Sequence, residues 1–312
     1  MNLPSYLSTV VLVGLFVFLG SVSSVFAGKE SSEITELKKR CDTGDAAQCV
    51  LLGMMYSKGN GVKRDFVQAA TFYRQSCDGG VAEGCHDLGV MYDNGNGVKQ
   101  DSVQAADLYR KACNGGVASG CAHLGFMYSH GIAVKQDYVQ AADLYRKACH
   151  EGRARDCSSL GVMYDEGTGV KQDSFQAAEL YRKACEGRDA VGCYNLALMY
   201  GTGKGVKQDS LHAGALYRKA CEEGVAEGCV NLGTMYENGD VLKQNLFQAV
   251  NLYRKACQGG DATGCGLLGR CYEFGKGVAK SRVDALNYYR KACDMKAEQG
   301  CEDYARLKSD KH

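Results

Sequence analysis

Residues 81–116 read VAEGCHDLGVMYDNGNGVKQDSVQAADLYRKACNGG, and this pattern recurs every 36 residues without insertion or deletion. Seven full units run from Asp45 to Lys296. A fixed period of this length is typical of solenoids, whose core grows by the addition of similar units. The 312 residues are therefore better explained by one elongated array than by two globular domains.

Each unit predicts two amphipathic helices. In the quoted unit, one face of a first helix over residues 82–92 carries small and apolar side chains at i, i+3, i+4 and i+7. A second helix over residues 102–114 begins after Asp101, which forms a capping-box-like pair with Gln104. Glycines end both helices, because glycine tolerates the positive φ of a tight turn. Stacked helix pairs of this kind predict an all-α solenoid.

The cysteines follow the same period. Sixteen of the seventeen form C-x₇-C pairs, and only Cys271 stands outside the scheme. The pairs are Cys41 with Cys49, Cys77 with Cys85, Cys113 with Cys121, Cys149 with Cys157, Cys185 with Cys193, Cys221 with Cys229, Cys257 with Cys265 and Cys293 with Cys301.

The spacing favours a disulfide across each turn between repeats. Within one helix, two cysteines eight residues apart would be separated by about 12 Å, whereas a disulfide needs Cα atoms roughly 4.4–6.8 Å apart. The glycines between the cysteines supply the turn that brings them together. Zinc sites use closer cysteine pairs, so we predict no metal site and no cofactor. The sequence leaves pairing within a repeat, such as Cys85 with Cys113, open.

The ends of the chain differ from the repeats. The apolar run from Val10 to Leu19, with Val25 and Ala27 before Gly28, predicts a secretory signal peptide over residues 1–27. Residues 28–44 predict an N-terminal capping helix, residues 45–296 the seven repeats, and residues 297–312 a C-terminal capping helix and tail. We therefore expect a secreted or periplasmic protein with no membrane segment after cleavage.

Composition excludes one class of partner. Lysine plus arginine number 37 and aspartate plus glutamate 36, which gives a net charge of +1. Nucleic-acid binding requires a basic face or stripe. We therefore expect no nucleic acid as a partner.

The motif L-G-x-M-Y-x-x-G-x-G-V-x-x-D-x-x-x-A-x-x-Y-x-x-A, as in Leu88 to Ala112, resembles SEL-one-like repeats, which are relatives of tetratricopeptide repeats. With one C-x₇-C per unit and a signal peptide, the chain resembles the Helicobacter cysteine-rich protein family over residues 41–301. The resemblance implies right-handed superhelical stacking, with the bridges between repeats. It also implies that first helices line a concave, partner-binding surface. The sequence departs from this motif at a few positions. Ala133 and Val241 replace the second loop glycine, and Asn245 and Ser281 replace the capping Asp.

Positions that vary while the framework repeats are the candidate ligand contacts. One row on the first helices is polar in five consecutive repeats, and a neighbouring row adds an aromatic residue. Asn and Asp side chains at this interval are suited to bind successive peptide groups of an extended ligand. The predicted ligand-binding residues are Asp87, His123, Ser159, Asn195, Asn231 and Tyr194. The expected function is a scaffold for a peptide, protein or cell-wall-derived ligand, and the alternative is a solvated helix face.

The resemblance also implies a β-lactamase or penicillin-binding hydrolase, with a β-lactam as ligand. A serine enzyme of that kind needs S-x-x-K, S-D-N and K-T-G elements, and the sequence contains none of them. Metal-dependent hydrolysis needs clustered ligands, whereas the six histidines are scattered along the chain. No catalytic residue is therefore assigned.

Overall fold

The computed structural model describes residues 32–239 and 241–310, so the predicted signal peptide, residues 1–27, lies outside the described residues. The described part of the chain forms sixteen helices and no strand, beginning with α1 (Ser32–Asp42) and ending with α16 (Glu298–Ser309). The first helices of the repeats are α2 (Ala46–Lys58), α4 (Ala82–Asn94), α6 (Ala118–His130), α8 (Ala154–Glu166), α10 (Ala190–Thr202), α12 (Ala226–Asn238) and α14 (Ala262–Phe274). The second helices are α3 (Phe66–Asp78), α5 (Ser102–Asn114), α7 (Tyr138–His150), α9 (Ser174–Glu186), α11 (Ser210–Glu222), α13 (Leu246–Gln258) and α15 (Arg282–Asp294).

These helices stack as antiparallel pairs into a right-handed superhelical solenoid, which confirms the predicted fold class. The bounds predicted for the second helix of the quoted unit agree with α5, and α4 is two residues longer than predicted. Several pairs of successive first helices, such as α8 and α10, approach each other more closely than any pair of successive second helices does. The first helices therefore lie on the inner, concave side of the curve.

Capping bonds begin the second helices. The Asp101 carboxylate accepts hydrogen bonds from the backbone N–H groups of Val103 and Gln104, at 3.0 Å each. The return bond of a full capping box is not formed, because the Asp101 N–H already donates to the Tyr92 carbonyl at 3.0 Å. Asn245 and Ser281 cap their helices in place of Asp, each accepting from the backbone three residues later. The chemistry of the cap is therefore retained where the residue changes.

Close contact between a glycine and a tyrosine ring holds the two helices together in six of the seven repeats, and Ala197 takes the place of the glycine in the fifth. Tyr109 is 1% exposed and packs on Gly89, where an added Cβ would lie 2.8 Å from the ring. Gly161 and Gly233 have the same relation to the tyrosine of their own repeat, with distances of 2.7 Å. Fully buried alanines such as Ala105 fill the adjoining space. The small residues thus allow backbone approach and the tyrosines fill the remaining volume.

Eight disulfides join each second helix, or α1, to the first helix that follows it. Their Cα atoms are 4.5–5.0 Å apart, and every pair has a sequence separation of 8 residues. The bonded pairs are Cys41 with Cys49, Cys77 with Cys85, Cys113 with Cys121, Cys149 with Cys157, Cys185 with Cys193, Cys221 with Cys229, Cys257 with Cys265, and Cys293 with Cys301.

This pairing settles the alternative that the sequence left open. Cys85 is bonded to Cys77 and Cys113 to Cys121, so no bridge links Cys85 with Cys113 inside a repeat. Six disulfides thus lie between successive repeats, and the other two join α1 to the first repeat and the seventh repeat to α16. Cys271 is free and 3% exposed, and burial raises the pKa of its thiol to about 11.

Arginines on the second helices add polar contacts between neighbouring repeats. Arg74 donates to the Tyr92 hydroxyl at 2.7 Å, and Arg218 donates to the Tyr236 hydroxyl at 2.8 Å. Equivalent pairs recur in repeats two to four and in repeat six, always between residues eighteen apart. From the second repeat onward, each first-helix tyrosine is therefore bound to the repeat that precedes it.

An ion pair joins α16 to the seventh repeat. The Glu273 side chain accepts two hydrogen bonds from Arg306, at 2.7 and 2.8 Å, and a third from the Tyr289 hydroxyl at 2.7 Å. Glu273 is 8% exposed. The Arg306 guanidinium lowers the pKa of the Glu273 carboxyl, against the effect of burial. Helix α16 thus supplies the contact that a further repeat would make.

Two glycine substitutions test the close packing. In Gly233→Ala the new methyl meets the Tyr253 ring at 2.7 Å, whereas in Gly266→Ala nothing lies within 4 Å. We expect the first variant to be less stable than the second by about 1–3 kcal/mol, because overpacking opposes the gain in helix propensity that both share. Urea unfolding of the oxidised proteins measures the difference. Equal stability of the two variants would contradict the packing role of the glycine.

Removal of the Arg306 contact tests the closure of the C-terminal end. Arg306→Gln leaves the buried Glu273 with one hydrogen-bond donor, the Tyr289 hydroxyl. We expect the free energy of unfolding to fall by about 1–2 kcal/mol at pH 7, a modest figure because solvent screens the half-exposed arginine. The pKa of Glu273 is lowered in the folded protein, so its stabilising contribution is present above the ordinary glutamate pKa and is lost as pH falls through the folded pKa.

The stability difference between the variant and the wild type should therefore shrink as pH falls below the ordinary glutamate pKa of about 4.3. Urea unfolding at pH 7 and pH 3.5 measures both quantities. Lys171→Gln, at an exposed position, serves as the control and should unfold like the wild type. A stability difference that persists unchanged at pH 3.5 would show that Glu273 ionisation is not the cause.

Candidate binding groove

The exposed stripes of the first helices together form the surface that we call the concave groove. On α10 the stripe consists of Val191, Asn195, Leu198 and Thr202, spaced i, i+4, i+7 and i+11. Val191 is 50% exposed and Leu198 37% exposed. Because the buried face of α10 packs on its neighbours, this stripe faces the inner side of the curve. The centre of the groove therefore presents apolar side chains around a carboxamide.

Asn195 is the predicted ligand-binding residue with a free polar group. Within the described residues its carboxamide has no hydrogen-bond partner, and the side chain is half-buried. Phe126, two repeats earlier and at the position equivalent to Leu198, is 48% exposed and packs against the His130 ring with centroids 4.0 Å apart. An amide with unsatisfied donors and acceptors beside apolar surface matches the chemistry of an extended peptide.

The other predicted residues of this row are engaged inside the protein. The Ser159 hydroxyl donates to the Arg155 carbonyl at 3.2 Å. The Asn231 side chain lies beside the hydroxyls of Tyr194 and Tyr217, whose rings have centroids 6.0 Å apart. Burial raises the pKa of the Tyr194 hydroxyl, so that group remains a neutral hydrogen-bonding partner. Asn231 and Tyr194 therefore form a polar wall next to Asn195.

Asp87 and His123 belong to a second polar cluster nearer the N-terminal end. The Nδ1–H of His86 donates to Asp87 at 2.9 Å, since a carboxylate can only accept. The Nδ1–H of His123 donates to the Ser119 carbonyl at 2.9 Å and lies 3.3 Å from Nε2 of His86. Burial, and then the neighbouring His86, lower the pKa of His123. His123 is therefore held as a neutral imidazole beside His86.

The sequence did not reveal this histidine pair. His86 and His123 are 37 residues apart, which is one period plus one residue, and they occupy neighbouring rows on adjacent first helices. The His123 ring also stacks on Tyr109, with centroids 4.8 Å apart. Once the period is known, a separation of 37 residues is the signal that would have predicted contact. His130, which the sequence places seven residues after His123, bonds instead to Ser129 and the Phe126 carbonyl.

Neither a metal cluster nor a membrane-spanning helix is found in the described part of the chain. Among residues 32–239 and 241–310, no group of three or more His, Cys, Asp or Glu side chains is arranged to hold a metal ion. No helix in the same ranges has the length and apolar character needed to cross a bilayer.

Comparison with known proteins identifies the repeat. The Sel1 repeat family matches residues 49–81, 82–117, 118–152, 155–189, 190–225, 226–261 and 262–296. No curated protein matches the chain. Sel1 repeats form scaffolds that generally mediate protein–protein interaction.

Three solved structures are similar to this chain. A protective antigen from uropathogenic Escherichia coli, c5321, with an SLR fold, superposes with a TM-score of 0.81 at 32% identity, over 88% of this chain and 59% of the antigen. A Sel1 repeat protein from Oxalobacter formigenes gives a TM-score of 0.74 at 25% identity, over 88% of this chain and 79% of that protein. Cysteine-rich protein B from Helicobacter pylori is 36% identical over 43% of this chain and 96% of its own, with a TM-score of 0.35.

The chain thus spans about 59% of the length of the E. coli antigen. Family matches over most of residues 49–296 agree with the periodic motif and the stacked helix pairs. This chain belongs to the Sel1 repeat family.

Proposed function

We propose that this protein is an exported interaction scaffold whose concave groove binds an extended peptide segment of a protein partner. The observation that carries the proposal is the α10 stripe, where the unengaged Asn195 carboxamide lies between exposed Val191 and Leu198. An amide of this kind can donate to and accept from one peptide unit while the apolar side chains contact those of the ligand.

The arrangement around Asn195 supports binding of a ligand with little rearrangement. The bridges on either side of α10, Cys185–Cys193 and Cys221–Cys229, fix its position between the neighbouring helices, and the Tyr194 and Tyr217 rings pack together beside it. A preorganised surface loses less conformational entropy when it binds. Successive repeats then offer equivalent positions along the same groove.

Two features support export. Disulfides persist in oxidising compartments, and eight of them are formed in a chain of 312 residues. The apolar stretch from Val10 to Leu19 has the composition of a secretory signal.

No feature of the groove favours the hydrolase that the family resemblance implies. The groove histidines bond to each other and to Asp87, and Ser159 bonds to a backbone carbonyl within its own helix. Neither arrangement pairs a nucleophile with a base. We therefore do not propose β-lactam hydrolysis.

Asn195→Ala tests the groove. Peptides selected from a random twelve-residue display library on the mature, oxidised protein should bind Asn195→Ala about five- to tenfold more weakly, because a peptide hydrogen bond of about 1 kcal/mol or more is lost. Isothermal calorimetry with the synthetic peptides measures the change. Asn287→Ala is the matched control, because Asn287 is exposed on the second helix α15, away from the groove.

The proposal predicts that Asn287→Ala binds like the wild type and that circular dichroism is unchanged in both variants. Selected peptides that bind both variants with wild-type affinity would contradict a role for Asn195. Failure of the library to enrich any peptide on the oxidised protein would contradict the peptide-binding function itself.

A further inference from the structure

An exposed apolar residue recurs at one position of every second helix. It is the second residue of the helix, directly after the first helical position that follows the cap, and it is 58–70% exposed in all seven repeats. We call this row the outer ladder: Val67, Val103, Val139, Phe175, Leu211, Phe247 and Val283. The residue that precedes it varies from Ser to Phe and Arg, and the one that follows it is Gln, His or Asp.

The internal packing of a monomer does not account for this row. Side chains this exposed gain little from burial, and valine is a weaker helix former than the glutamine next to it. Single exposed apolar residues are ordinary, but the same position in seven consecutive repeats is an ordered apolar line. The outer ladder lies on the second helices, so it is separate from the concave groove on the first helices.

A cavity adjoins the middle of the outer ladder. Phe175, the fourth of the seven ladder residues, borders an open cavity of about 560 Å³. The cavity is also lined by Tyr200 and Val206 of the next repeat and by the charged groups of Glu179, Arg182 and Lys207. A projecting aromatic ring and a hollow with aromatic and aliphatic walls therefore lie side by side at the midpoint of the row.

This arrangement is self-complementary under a two-fold axis through Phe175. In such an isologous contact each residue meets its counterpart from the other half of the row. Leu211 then faces Val139, Phe247 faces Val103, and Val283 faces Val67. The spacing of the rungs is set by the repeat, and because the second helices lie on the outer side of the curve, contact is closest at Phe175 and at the neighbouring rungs Val139 and Leu211.

Charge selects the antiparallel direction for the two rows. Four residues after the ladder position, repeats two to four carry an acidic residue that is paired with the arginine three residues later. These residues are Asp107, Asp143 and Glu179. In repeats five to seven the equivalent residues are Ala215, Asn251 and Asn287, so the arginines there have no carboxylate partner in the described structure.

Antiparallel rows bring Arg218 and Arg254 towards the Asp143–Arg146 and Asp107–Arg110 pairs of the other copy, where each carboxylate can accept from a second arginine. Parallel rows would set arginine against arginine. From the ladder, the cavity and this charge pattern, we propose that the chain forms an antiparallel two-fold dimer through the outer ladder, with Phe175 of each copy seated in the cavity of the other.

Sedimentation equilibrium of the mature, oxidised chain over about 1–100 µM tests the dimer. The wild type should show twice the monomer mass, and Phe175→Asp should weaken the association at least about tenfold, because the substitution places two carboxylates at the axis. The matched control is Phe274→Asp: Phe274 is 57% exposed, close to the 59% of Phe175, but it ends the first helix α14 and lies outside the ladder. Circular dichroism and thermal melting verify that both variants fold.

A charge exchange tests the direction of the rows. Arg218→Asp should weaken the dimer, and adding Asp143→Arg in the same chain should restore it, because the two positions face each other across the axis. A wild type that stays monomeric throughout, or Phe274→Asp acting as strongly as Phe175→Asp, would overturn the proposal. A monomer that uses Phe175 to bind phospholipid vesicles would overturn it equally. Failure of the double exchange to restore association would overturn the antiparallel arrangement.

Discussion

The covalent bond across each turn between repeats is the constraint on which the rest of the structure depends. Each bridge fixes the end of one helix pair to the start of the next, with Cα atoms 4.5–5.0 Å apart. Closing a loop of this length stabilises the fold by roughly 2.5 kcal/mol in the chain-entropy account. In a solenoid, stability comes from the repeats and from the interfaces between nearest neighbours. A bridge at each junction therefore strengthens the interfaces that make the repeats fold together.

The fixed junction also sets the spacing of every row on the surface. The inner rows place Asn195 and Asn231 at equivalent positions of adjacent first helices, and the outer ladder places one apolar side chain on every second helix. Glycine–tyrosine contacts within the repeats keep the helices of a pair close, while the arginine–tyrosine bonds tie neighbouring pairs together. One repeated unit thus produces two separate surfaces, the concave groove and the outer ladder.

Much of this could be predicted from the sequence, because a strict period turns local rules into a global fold. The second-helix bounds of 102–114 and the fold class follow from spacing within one unit. The spacing across one turn favours the observed cysteine pairing, but pairing within a repeat stayed open until the structure settled it. The sequence could not show which groove side chains are engaged. Those contacts join neighbouring repeats, as that of His86 with His123 does, and they depend on rotamers that the period does not determine. The sequence also could not show that the return bond of the capping box is missing. The Asp101 N–H donates instead to the Tyr92 carbonyl, across the loop between the two helices of the repeat.

Peptide mapping of the exported protein without reduction tests the central claim most directly. Trypsin has no site between the cysteines of five pairs, so those pairs should appear as single peptides two hydrogen atoms lighter than their reduced forms. The other three pairs, Cys149 with Cys157, Cys185 with Cys193 and Cys293 with Cys301, enclose Arg or Lys and should appear as two peptides joined by one bridge, with Cys271 as the only thiol. Recovery of mostly free cysteines, or of Cys85 linked to Cys113, would contradict the account.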